Sequence, residues 1–244
     1  MVNYRLRNSL TAAELSQQVL AERVQVDSKS VERWITQDRV PHASTRARVA
    51  RVLGQDETYF WPSLLTTEDS RNATQAELVQ IWATRSTVPG EVWRTLLKQT
   101  RHQLDVLVYS GGFLVEAFDL VDVVRSKAET GVTVRILLGD SRSEAVRSRG
   151  REEGLPTLPQ RCQSTADYLS EVASVPGVVI RTHQTCLYAS QYRFDDSMLI
   201  NPHTYGSWAS RSPVHHLKRV PGGHLFNYYD AAFARVWETG QPIA

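Results

Sequence analysis

Between Leu104 and Leu138 the chain runs through an apolar segment (Leu104–Tyr109), a break at Ser110, Gly111 and Gly112, a helical stretch from about Leu114 to Thr130, and a second apolar segment (Val132–Leu138). A strand, a helix and a strand in that order imply two parallel strands joined by a crossover helix, in a sheet with helices on its faces. Gly131 is expected to cap the helix. Glu91–Gln103 upstream is amphipathic. Downstream, Ser141–Leu158 is rich in Arg, Ser and Glu and reads as a mobile excursion, and helix resumes over Gln160–Val172. Val178–Arg181, Leu187–Phe194, Met198–Asn201 and Val214–Val220 read as strands, and His224–Thr239 as a closing amphipathic helix. Its Tyr229, Phe233 and Trp237 share one face, for packing into the same domain or against a second copy.

Before residue 66 the pattern is helical only. Leu15, Val19 and Leu20 repeat at helical spacing, and so do Val31, Trp34 and Ile35. Asp27 or Ser28 can N-cap the second of these segments, Pro41 forbids a helix through it, Ser44 can cap Thr45–Leu53, and Gly54 stops that helix. Thr66–Thr74 has no period. The expected organisation is therefore 1–65 as a helical domain, 66–88 as a linker or connecting helix, and 89–244 as an α/β domain with a mixed, partly parallel sheet.

At 244 residues, with 41% hydrophobic and 22% charged residues, the chain suits packed domains rather than disorder. It has no apolar run long enough to span a bilayer and no signal peptide, so a cytoplasmic, nucleoid-associated protein is expected. Cys162 and Cys186 lack metal-ligand spacing, and neither a metal nor a cofactor is expected. The net charge of +2 excludes little, but residues 1–53 hold nine Lys or Arg against five acids, and Arg39–Gln55 has four Arg and no acid. Such a segment can face a phosphate backbone.

The stretch QQVLAERVQVDSKSVERWITQ, Gln17 to Gln37, resembles the phage-repressor-like (XRE-type) helix-turn-helix proteins. Ala21 is small where the two helices touch, and Leu20, Val26, Val31 and Trp34 can clamp them. Gln25 stands where Gly is usual, in a left-handed turn that penalises a side chain. The resemblance implies a recognition helix over Asp27–Trp34. Ser28, Lys29, Ser30, Glu32, Arg33 and Gln37 then face base edges, Gln17 and Gln18 hold phosphates, and Arg39, His42 and Arg46 add positioning contacts.

The βαβ unit ending GVTVRILLGD, with the later strip YASQYRFDDSMLINPHTYGS from Tyr188, resembles a phospholipase D-like domain. That family's signature is His, one residue, Lys, four residues, Asp. Asp195 stands at the Asp, but Tyr188 and Ser190 replace the His and the Lys. Without the imidazole nucleophile and the cation, the domain is expected not to be an enzyme. Together with LFNYYDAAFARVWE near the end, the whole is similar to actinobacterial transcriptional regulators of unassigned C-terminal activity. Tyr188, Ser190, Arg193, Asp195, Asn201, His203 and Tyr205 are candidates for a degenerate site holding a small anionic or nucleotide effector; alternatively, Tyr188 and Asp195 only satisfy each other in a buried network. The expected function is a transcriptional regulator or repressor, a homodimer on a pseudo-palindromic double-stranded operator. The alternative is a nuclease or phosphodiesterase with a divergent site using His183 or His216. Scattered histidines such as His215 and His224 are more often structural.

Overall fold

The computed structural model of the chain describes residues 2–66 and 68–243, with side chains described outside 65–70. It divides into two compact units, Met1–Glu77 with Arg219–Asn227, and Leu78–Lys218 with Tyr228–Ala244.

The first unit is built from α1 (Tyr4–Ala12), α2 (Gln17–Arg23), α3 (Ser28–Thr36), α4 (Ala43–Leu53), the short α5 (Glu57–Phe60) and α6 (Glu68–Ala76). Helix α1 precedes the Leu15–Leu20 segment of helical spacing. Asn3 caps it by accepting from the Leu6 amide at 2.9 Å, while its own Nδ2 donates to the Phe60 carbonyl and to Asp38. Ser16 caps α2 and Asp27 caps α3, each accepting the backbone N–H three residues on. Ser44 does not cap α4 as expected. It lies inside the helix, and His42 occupies the cap position without a side-chain bond. Leu6, Leu10, Leu20, Val31, Trp34, Val49 and Trp61 are among the side chains that form the core, each fully buried Leu or Val stabilising it by roughly 1.5–3 kcal/mol. The α2–α3 turn places Gln25 at φ 57°. The Val26 amide donates to Ala21 across that turn and fixes the angle between the helices. The segment Arg219–Asn227 completes the unit: buried Glu77 accepts from the Leu225 and Phe226 amides at 2.7 and 3.3 Å. Burial still raises the Glu77 pKa against those bonds.

The second unit is an eight-stranded mixed sheet in the order β1-β7-β6-β5-β2-β3-β4-β8. The strands are β1 (Leu78–Trp82), β2 (Gln103–Leu107), β3 (Thr133–Gly139), β4 (Val178–His183), β5 (Ala189–Phe194), β6 (Ser197–Pro202), β7 (Val214–Lys218) and β8 (Gln241–Pro242). β2, β3 and β4 are parallel, and the other pairings are antiparallel. Alternation divides the burial: Leu104, Val106 and Val108 join α7 (Gly90–Gln99) and α9 (Leu120–Glu129) in one cluster, while Leu107 joins Val146, Cys162 and Phe233 in another.

Three expectations about this unit need correction. The helix read over Leu114–Thr130 is two, α8 (Gly112–Phe118) and α9, parted by Asp119 at φ 48°, a conformation its short polar side chain tolerates. Ser141–Leu158 is not an excursion. It holds α10 (Glu144–Glu152), capped by Ser143 and anchored by buried Val146 and Arg149. Glu91–Gln103 breaks at Thr100, so that Gln103 already belongs to β2. The helix expected over Gln160–Val172 is α11 (Leu158–Ser170), and the closing helix is α12 (Leu225–Thr239). The segment 66–88 contains α6, β1 and a single turn at Arg85–Thr87, and Thr67 lies outside the described residues.

Relieving the left-handed residue should stabilise the first unit. Gln25→Gly is expected to raise its unfolding free energy by about 0.5–1 kcal/mol, and Gln25→Val to lower it by about 1 kcal/mol or more. Urea unfolding of the two variants checks this, and an unchanged or reversed order would show that the turn is unstrained.

Candidate functional site

On the helical unit, α3 buries Val31, Trp34 and Ile35 and turns Ser28, Lys29, Glu32 and Arg33 to solvent. Gln17, Gln18, Gln37, Arg39 and His42 are also exposed. Ser30 is half-buried and spends its hydroxyl on Asp27 at 2.7 Å. Arg46 is placed differently from the rest. Its Nε donates to buried Glu57 at 3.0 Å and its Nη1 to the Pro41 carbonyl at 2.7 Å, so its charge is spent inside the unit.

The α/β unit carries a cavity of about 120 Å³ at the carboxyl end of β2. Its walls come from the Val108–Phe113 turn, the start of β5, the residue after β6, the Arg85 and Arg161 side chains, and two acids, exposed Glu116 and Glu153, the latter paired with Arg149. Crevices beyond the carboxyl ends of sheet strands are where open α/β folds bind ligands. Of the seven residues singled out in the sequence, only Ser190 and His203 line it. Their Oγ and Nε2 are 3.0 Å apart. The opposite ring nitrogen, Nδ1, lies 3.1 Å from the Leu187 carbonyl. A carbonyl can only accept, so Nδ1 carries the hydrogen, and in the neutral ring Nε2 accepts from the Ser190 hydroxyl. Burial, aided by the charges of Arg149 and Arg85, pushes the His203 pKa down to about 4. Tyr109 stacks on the ring at 5.7 Å, accepts from the Leu187 amide, and is pushed up to about 12 by burial.

The other five sit elsewhere. Tyr188 and Tyr205 are each 84% exposed, so Tyr188 forms no buried network with Asp195. Asp195 occupies the β5–β6 turn at φ 53° and accepts from the amides of Arg101, His102 and Gln103 at 2.7–2.8 Å. Burial opposes its charge, but those three bonds prevail and lower its pKa. Arg193 pairs with Asp230 at 2.7 Å and stands 3.7 Å from Asp105, which Arg135 clamps with two bonds. Asn201 donates to the Ser212 and Pro213 carbonyls. His183 is fully engaged, one nitrogen with the Val108 carbonyl and the other with the Thr185 amide. His216 stacks on Trp82. Arg85 and Arg161, which the sequence reading passed over, form no ion pair among the described residues, although Arg85 lies 3.9 Å over the Phe113 ring. The Gly111–Gly112 break after an apolar strand was the signal available for this wall. Among the described residues no cluster of three metal-ligating side chains occurs, and no helix is long and apolar enough to cross a membrane.

No family model and no curated protein matches the chain. Solved structures do. TrmBL2, an archaeal chromatin protein described as showing a novel mode of DNA binding, aligns with a TM-score of 0.45 and 15% identity over 89% of this chain and 72% of its own. Nuc from Salmonella typhimurium, a phospholipase D family member, aligns at 0.41 and 13% identity over 67% of this chain and 96% of its own. NucT from Helicobacter pylori aligns at 0.41 and 10% identity over 67% and 98%. The expectation that the chain is not an enzyme is corrected here, since Nuc and NucT stand among its structural neighbours.

The depressed His203 pKa has a consequence for stability. An unfolded histidine, near 6.5, binds its proton before the folded one does near 4, so the contribution of His203 is complete above pH 6.5 and is lost as the pH falls toward 4. The difference is about 3 kcal/mol, an order-of-magnitude figure. Urea unfolding at steps from pH 7 to pH 4 should show the wild type losing more stability than His203→Gln, with His183, His216 and His224 common to both. Parallel curves would mean that His203 titrates normally.

Proposed function

We propose that the chain is a sequence-specific, double-stranded-DNA-binding transcriptional regulator. Its helical unit reads the operator with α3, and its α/β unit holds a phosphate-bearing ligand and serves a homodimer on a pseudo-palindromic site. The observation that carries the DNA reading is the division of α3: its apolar stripe is spent on its own core, and Ser28, Lys29, Glu32 and Arg33 remain outward on a helix that follows α2 by a tight turn. Outward polar side chains on such a helix suit base edges in a major groove. Arg33, with its planar fork, is assigned to a guanine. Arg39 and the amides Gln17 and Gln18 are assigned to phosphates.

The anion reading of the pocket is supported by the two guanidinium groups on its wall. The cavity volume limits the ligand. At about 120 Å³ it is smaller than the ~150 Å³ void that admits benzene, so one phosphate-sized group fits and a nucleoside would stay outside.

Operator selection from a random duplex library, followed by anisotropy titrations at several salt concentrations, tests the DNA reading. Arg33→Ala should cost about 1–3 kcal/mol and relax preference at one base pair, while Arg39→Ala should weaken all sequences alike and reduce the salt slope by about one unit. Arg46→Ala should act on folding instead, lowering stability by about 3 kcal/mol because Glu57 is left buried without its partner. A full chain that ignores duplex DNA at low ionic strength would overturn the proposal.

A further inference from the structure

Ser190 and His203 are more than two polar residues sharing a wall. Ser190 lies near the start of β5, a strand paired on both sides, and is 3% exposed. His203 follows β6, and its backbone amide donates to the Tyr188 carbonyl at 2.8 Å. Buried Arg149 holds the loop beyond, donating to the Ser207 carbonyl at 3.1 Å. A hydroxyl donating to an imidazole whose far nitrogen is fixed by a third group is the arrangement that activates a nucleophile. The Leu187 carbonyl is that third group here. The Nε2 lone pair already accepts from the Ser190 hydroxyl, and the arrival of an anion beside the buried ring raises its basicity. The same cavity presents Arg85 and Arg161, cations suited to the equatorial oxygens of a phosphoryl group. A cavity of this volume receives a terminal phosphate better than the middle of a chain.

We infer that Ser190 is a nucleophile activated by His203, and that the pocket hydrolyses small phosphate monoesters through a phosphoserine intermediate. The inference rests on the anion reading of the pocket. Ser190 Oγ attacks phosphorus as its proton passes to His203 Nε2. The bond from phosphorus to the leaving oxygen breaks on the opposite face, and that oxygen takes a proton from solvent, releasing an alcohol while Nε2 keeps the Ser190 proton. Water then attacks phosphorus from that open face, its proton passing to solvent, and Nε2 returns its own proton toward Oγ. The Oγ–phosphorus bond breaks, Ser190 regains its proton, and inorganic phosphate leaves.

Two measurements on the full chain separate this inference from the reading beneath it. Calorimetry with inorganic phosphate tests the anion pocket, and Arg161→Ala should weaken binding at least tenfold. Diisopropyl fluorophosphate tests the nucleophile: fluoride should leave, a single adduct should form, and peptide mapping of the wild type should place it on Ser190. Ser190→Ala should take no label, and His203→Gln should slow labelling about 100-fold or more. Release of p-nitrophenol from p-nitrophenyl phosphate should exceed that from bis(p-nitrophenyl) phosphate and p-nitrophenyl acetate, with phospho-Ser190 trapped by acid quenching. Phosphate binding without an adduct on Ser190 would leave the ligand pocket standing and overturn the nucleophile. Hydrolysis confined to the acetate or the diester would overturn the substrate class. Absence of both binding and labelling would overturn the anion reading as well.

Discussion

Three backbone N–H groups, those of Arg101, His102 and Gln103, converge on the carboxylate of Asp195, and the Asp195 amide returns a bond to the Gln103 carbonyl. Hydrogen bonds to a charged group are each stronger than neutral ones, about 1.5–3 kcal/mol against about 1. The clamp ties the β5–β6 turn to the first residue of β2 and thereby sets the antiparallel register, Leu104 opposite Phe194 and Leu107 opposite Gln191. Register decides faces, because a slip of one residue would turn Ser190 to the other side of the sheet. The Ser190 hydroxyl meets His203 at one end of the hairpin because the other end is pinned by a carboxylate that lies outside the cavity lining.

A second set of charges works in a similar way. Asp105, Arg135, Arg193 and Asp230 form a chain of pairs, with the Arg135 guanidinium also 4.7 Å over Phe233. Buried pairs of this kind add little net stability over apolar replacements, yet removing one member leaves an uncompensated charge. They therefore fix position more than they strengthen the fold. They also explain why a basic residue near the cleft is no guide to its chemistry: Arg193 is consumed by structure, while Arg85 and Arg161, distant in sequence, stand at the pocket.

Elements declared by short-range pattern were legible in the sequence. The helix pair around Gln25 shows itself in Ala21, Val31 and Trp34 at helical spacing, and the parallel strands show themselves in Leu104–Tyr109 and Val132–Leu138 as apolar runs that a central strand requires. Features set by a single residue's backbone or by a distant partner were not legible. Asp119 splits a helix without a change in periodicity. Buried Arg149 turns an apparently solvated segment into α10, because its charge is met by Glu153 and by carbonyls more than fifty residues away. Within the candidate site, Ser190 and His203 were named but in company with Tyr188 and Asp195, since proximity in sequence stood in for proximity in space. Of the partners that matter, Tyr109 comes from beyond the end of β2, and the Leu187 acceptor is a backbone carbonyl that no side-chain pattern announces.

The helical unit is discontinuous along the chain: its last segment, Arg219–Asn227, follows more than a hundred residues of the α/β unit, and buried Glu77 waits for the Leu225 and Phe226 amides. During synthesis the first seventy-seven residues emerge long before those amides exist. The finished unit therefore closes only after residue 227 has been made, and its assembly is timed by translation through the α/β unit rather than by its own residues 1–77.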